Sequence, residues 1–186
     1  MIELFSLEGI NRAPSTFNPE KLAWINQQYL KSSEIGHIVD LVKTRLQKQG
    51  VEVDEALDIS PIVELYRERV KTINELAQNI LYFFEDFSDY DAKAAKKALK
   101  QAAVTPLQCL LEKLQNLSDW DVEGIHGVIK EVTEELEVNM GKVGQPLRVA
   151  VTGGSFSPPI DQTVMMIGKE KSLRRIERAI DYISNH

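Results

Sequence analysis

Side chains with strong intrinsic chemistry are sparse in this chain. Its three histidines, His37, His126 and His186, are scattered, and none has a second histidine or a cysteine three or four residues away. Structural zinc takes four nitrogen or sulfur ligands, so no metal site is expected. The single cysteine, Cys109, lies among leucines without a histidine or basic cluster to lower its pKa, and reads as a small buried hydrophobe. Asp119 and Asp121 flank Trp120 at a helix start, where capping suits a carboxylate better than general acid–base work. Neither a G-x-x-x-x-G-K-[ST] phosphate loop nor a G-x-S-x-G elbow is present. The residues form no catalytic constellation.

The positive features are basic and local. Arg67, Arg69 and Lys71 are spaced by two; on one helix Arg67 and Lys71 share a face and Arg69 points away. Glu64 and Glu68 offer Arg69 a plain surface salt bridge. Residues 168–178, G-K-E-K-S-L-R-R-I-E-R, hold five basic and two acidic side chains. That segment is either a solvated helix face with i,i+4 pairs or a patch for backbone phosphates built from Lys169, Lys171, Arg174 and Arg175. Just before it, residues 152–159 read T-G-G-S-F-S-P-P. Gly153 and Gly154 permit positive φ and end the preceding helix, Ser157 is a candidate N-cap, and Pro158-Pro159 stiffens the entry into the next helix. Such a loop is either a connector with a stiff stop or a place where an unstacked base finds an apolar surface and free donors.

The elements that position these residues all have helical spacing. Asn18-Pro19 opens a helix with Leu22, Ile25 and Tyr29 on one face. Ile35, Ile38, Val39, Val42 and Leu46 form a second stripe that Gly50 ends, and Ser60-Pro61 opens a third carrying Ile62, Tyr66 and Val70. Thr72 and Glu75 have capping-box spacing, which predicts a bend or a new helix running to Tyr82, Phe83 and Phe84. After the polar break Ser88-Asp89-Tyr90-Asp91 comes the alanine- and lysine-rich run from Ala92 to Ala103, then a leucine seam after Thr105-Pro106. Asp121 caps the next stripe, from Ile125 to Leu136; Ile160, Val164 and Ile167 form another, and Ser172 caps the last. The stretch 147–151, L-R-V-A-V, could be a strand but has no partner, so helix is predicted there too. The fold class is all-α, with its best internal boundary at the polar break. Residues 1–34 look too irregular to bury a core alone and read as the tail of something larger.

Composition narrows the class further. The chain of 186 residues is 43% apolar and 27% charged, ordinary for a globular protein, and its net charge of −6 argues against indiscriminate coating of nucleic acid. The acidic start lacks a signal-peptide pattern and no apolar run is long enough to span a bilayer, so a cytosolic protein without a membrane partner is expected.

The segment P-L-R-V-A-V-T-G-G-S-F-S-P-P-I, followed by I-G-K-E-K-S-L-R-R-I-E-R-A-I, closely resembles the C-terminal end of bacterial glutamyl-tRNA synthetases. F-N-P-E-K-L-A-W-I-N-Q-Q-Y-L resembles an upstream segment of that family, and L-Y-R-E-R-V-K-T-I-N-E-L matches in type. The likeness runs through the whole chain in the family's order. Both ATP-site motifs of class I synthetases are missing. The resemblance therefore implies residues 1–34 as the end of the stem-contact region and two consecutive helical bundle or cage subdomains for anticodon binding, 35–91 and 92–186. It implies tRNA(Glu) and its anticodon stem-loop as partner, together with the N-terminal catalytic domain of a parent glutamate-tRNA ligase. ATP and Mg2+ are implied for that parent, no cofactor for this chain, and a monomer. It also implies roles: Arg69 against the third anticodon base, Arg148 reaching the anticodon, and Ser157, Pro158 and Ile160 at loop positions that hold anticodon bases. A free-standing tRNA-binding factor or a protein-interaction adaptor descended from the synthetase is the alternative.

Overall fold

A computed structural model describes residues 16–54 and 57–185; the N-terminal part of the 1–34 segment lies outside the described residues. The described residues are helical throughout, with no strand among them. The helices are α1 (Pro19–Ser32), α2 (Ile35–Lys48), α3 (Ser60–Arg67), α4 (Ile73–Asn79), α5 (Leu81–Phe84), α6 (Ala92–Ala98), α7 (Val104–Gln115), α8 (Val122–Glu135), α9 (Met140–Thr152), α10 (Ile160–Ile167) and α11 (Lys169–Asn185).

Local chemistry accounts for most boundaries. Asn18, Thr72, Asp91, Asp121 and Asn139 each accept a backbone N–H three residues on, the geometry of an N-cap. Gly50, Gly153 and Gly168 take positive φ where helices end. The segment 147–151 lies inside α9, as its lack of a partner strand predicts. Other expectations need correction. The third helix stops at Arg67 rather than running through Val70, so Arg67 and Lys71 do not share a helical face. The alanine- and lysine-rich run breaks after Ala98, passes through a 3-10 turn at Gln101–Ala103 and re-enters helix at Val104. α11 begins at Lys169, so Ser172 is an interior residue, buried with its hydroxyl toward the Val164 carbonyl.

α2, α3 and α4 pack on one another, and α1 packs on α3. In the second half α9 is the axis, touching α6, α7, α8, α10 and α11. One buried apolar cluster runs from Leu30 to Ile183 through both halves. The apolar face of α1 stays largely open: Leu22 and Tyr29 are exposed, as are Phe17 and Trp24, and only Leu30 of this helix enters the core. No helix among the described residues is long and apolar enough to cross a membrane.

Candidate nucleic-acid interface

The loop of residues 153–159 is shaped by one arginine. Arg148, in the penultimate turn of α9, donates through Nη1 to the Pro158 carbonyl at 2.7 Å, to the Ser157 carbonyl at 2.9 Å and to the Ser157 hydroxyl. Ser157 and Pro158 are both buried. The Ser157 hydroxyl donates to the Pro158 carbonyl, and Thr163 Oγ approaches both groups. Ser157 is therefore not the N-cap of α10; Pro159 holds that position without a capping side chain. With their polar groups consumed inside the loop, Ser157 and Pro158 set its shape rather than its outer face. What the loop presents to solvent is Ser155, Phe156, 48% exposed, and Pro159, followed by the half-buried Ile160. Of the two glycines only Gly153 takes positive φ, at 77°. The Phe87 ring would lie 3.0 Å from a Cβ placed there.

Phe156 reaches the first half of the molecule. Its ring centroid is 6.2 Å from that of Tyr66, at the end of α3. Tyr66 shares a 2.7 Å hydrogen bond with Tyr82, hydroxyl to hydroxyl. Burial pushes the Tyr66 phenol up to about 12, while its bond to Tyr82 and the charges of Arg148 and Arg69 pull it back. Burial lowers Arg148, and the positive charge of Arg69 acts in the same direction. Both arginines thus lie close enough to Tyr66 for their charges to act on it. Sequence periodicity placed Tyr66 only in an apolar stripe; nothing local points to two cations whose charges act on it.

Arg69 differs from every other cation of the sequence-derived site. It is exposed, and only its backbone is bonded, N–H to the Tyr66 carbonyl at 2.8 Å. The surface salt bridge open to it is not made, because Glu64 pairs with Arg67 at 2.7 Å and Glu68 with Lys31 at 3.2 Å. Among the described residues its guanidinium has no hydrogen bond or ion pair. Beside the loop, Asp161 in the first turn of α10 accepts from the Gln162 N–H at 2.8 Å and lies 3.0 Å from His126 Nδ1. A carboxylate there repels an anion at this helix start and tolerates a neutral base edge.

The basic run of α11 faces inward, against the phosphate-patch reading. Lys169 donates to the Leu117 carbonyl just past α7, and Lys171 to the Phe83 carbonyl in the last turn of α5. Arg175 is 1% exposed and donates to the carbonyls of Val151, Tyr82 and Glu85 and to Asp86. Arg178 donates to the Phe87 carbonyl and lies over the Phe87 ring. Cations on the unsatisfied carbonyls of helix ends are favourable for both hydrogen bonding and the helix dipole. Arg174 alone stays well exposed, and it pairs with Asp86. No cluster of three or more metal-ligating side chains occurs among the described residues.

Residues 20–180 match the model of a protein family described as an anticodon binding domain. The chain belongs to the anticodon-binding domain family. Solved structures agree. A glutamate tRNA ligase from Elizabethkingia meningosepticum, in complex with its amino acid, superposes with a TM-score of 0.83 at 32% identity, covering 96% of this chain and 35% of that one. A glutamate-tRNA synthetase from Elizabethkingia anophelis gives 0.79 at 33% identity, covering 95% and 34%. This anticodon-binding domain thus spans about a third of the length of those ligases. Recognition of a tRNA anticodon, in a domain of synthetase type, is the function that membership carries.

Proposed function

We propose that this anticodon-binding domain reads the anticodon of tRNA(Glu) as part of a cytoplasmic, monomeric glutamate-tRNA ligase. In this reading the bases lie on the surface offered by Phe156, Pro159 and Ile160, and Arg69 reads the third base. ATP and Mg2+ would serve the catalytic part of that ligase. The observation that carries the proposal is the exposed guanidinium of Arg69, without a partner among the described residues, whose charge acts on Arg148, the residue that locks the loop in place. A guanidinium gives bidentate hydrogen bonds to a base edge, a contact worth about 1–3 kcal/mol of discrimination. Glutamate anticodons end in C and glutamine anticodons in G, so the third base separates the two. Arg148 and Ser157, with Pro158, act one step back by holding the loop.

The test uses a full-length ligase carrying this domain and tRNA(Glu) transcripts altered one anticodon base at a time. Arg69→Gln is expected to narrow the third-base preference in kcat/KM by roughly tenfold, since about 1.4 kcal/mol is tenfold. Ser157→Ala with Pro158→Gly is expected to weaken reading of the first two bases and to leave the third-base ratio in place. An unchanged third-base ratio in a folded Arg69→Gln enzyme overturns the assignment.

A further inference from the structure

A second surface, a quarter turn around α9 from Arg148, has a different chemistry. Residues of α6, the 3-10 turn and α9 enclose a groove of about 580 Å3. Its floor is small and apolar, with Ala94, Ala98, Ala103, Pro106, Pro146 and Val149. Its rim carries Lys93, Lys97, Lys100 and Lys142, all exposed. None of these four lysines makes a side-chain hydrogen bond or an ion pair among the described residues. No carboxylate lines the groove, in a chain whose net charge is −6.

An unopposed ring of four cations in an acidic protein calls for an anionic occupant, and the floor narrows its kind. Single-stranded nucleic acid binds by stacking on aromatic side chains, and the groove is lined by none. A phosphate backbone uses the lysines but leaves the alanine and proline floor wet. An amphipathic helix with an apolar stripe flanked by Asp or Glu satisfies both parts. Its apolar side chains desolvate the floor, alanines allow close helix approach, and the lysine stems lie along its flanks with their ammonium groups on its carboxylates. We infer that this groove docks an acidic amphipathic helix of a partner protein. Ser155 lines the same groove, so the partner sits against the loop that carries Phe156.

The experiment uses the 186-residue protein and a fluorescein-labelled helical peptide with leucine on one face and glutamate on both flanks. A control peptide has lysine at every glutamate position. Fluorescence anisotropy is expected to give saturable, salt-sensitive binding of the glutamate peptide alone, with amide chemical-shift changes confined to α6, the 3-10 turn and α9. Lys97→Glu with Lys142→Glu should weaken it at least tenfold and Ala98→Gln at least threefold, circular dichroism being unchanged for both proteins. Absence of binding, equal binding of the lysine peptide, or affinity indifferent to both sets of substitutions overturns the proposal. So does displacement of the peptide by tRNA together with weaker tRNA binding in the lysine variant, which makes the rim a nucleic-acid surface instead.

Discussion

Gly153 is the residue on which the loop between α9 and α10 turns. Its φ of 77° is strained for any side chain, and the Phe87 ring closes the space a Cβ would take. Its carbonyl accepts the Asp91 N–H at 2.8 Å, tying the loop to the cap of α6. Gly153→Ala is therefore expected to cost roughly 2 kcal/mol or more, as left-handed backbone strain plus contact with Phe87. Urea unfolding measures it, and Gly154→Ala is the control, because nothing lies within 4 Å of its added Cβ. Equal costs at both positions would remove Gly153 from this role. The arginines differ in the same residue-specific way: Arg148 spends its donors on one loop, Arg175 on three carbonyls and Asp86, and Arg69 on nothing in the described chain.

α11 is the strap between the two halves. From one helix, Lys171, Arg175 and Arg178 reach the end of α5 and the segment after it, while Arg175 also holds the last turn of α9. Arg175→Met keeps the volume but strips these acceptors of their donor, an expected loss of about 3 kcal/mol. Arg174→Ala, removing an exposed partner of Asp86, is expected to cost less than about 1 kcal/mol. The same strap sets an acid limit. Burial raises Asp86, but the hydrogen bond and charge of Arg175, with Arg174 and Lys171, outweigh it and hold the carboxyl below its ordinary value. A carboxylate whose folded pKa is depressed stabilises fully above its unfolded value, about 3.9, and loses that contribution as pH falls below it. Asp86→Asn should lower stability at neutral pH and flatten its fall below about pH 4. Denaturant midpoints at pH 3 and pH 7 for both proteins check the sign; parallel losses would show Asp86 uncoupled from the strap.

At the scale of the molecule, a net charge of −6 goes with cations confined to particular surfaces, Arg69 past the end of α3 and the lysines around the α6–α9 groove. Family membership covers residues 20–180, and the matched ligases are about three times as long. Consistent with the proposed division of labour, the 186-residue chain, incubated with ATP, glutamate and tRNA(Glu), is expected to form no Glu-tRNA. An acid-gel assay for charged tRNA measures this, and robust charging would defeat the reading of the chain as an anticodon-reading part. On α1, Phe17, Leu22, Trp24 and Tyr29 lie open on one helix and its entry, so the apolar pattern there does not serve the core of this domain.

The amino-acid sequence by itself determined the helical class and the caps at Asn18, Thr72 and Asp121. Those depend on hydrogen bonds reaching three or four residues, as at Asp121 with Gly124 or Thr72 with Glu75, and on the absence of a partner strand for residues 147–151. The family likeness marked Arg69 and Arg148, but local pattern could not say which arginine was free. Arg175 and Asp86 are 89 residues apart, Lys171 and Phe83 are 88, and Tyr66 meets Phe156 only because the two halves share one core. A basic run reads alike on paper whether it faces water or the bare carbonyls of neighbouring helix ends. Packing of α11 against α7 and α9 made that choice, burying Arg175 where its donors replace missing backbone partners; Arg69, past the end of α3, lies exposed on the other half.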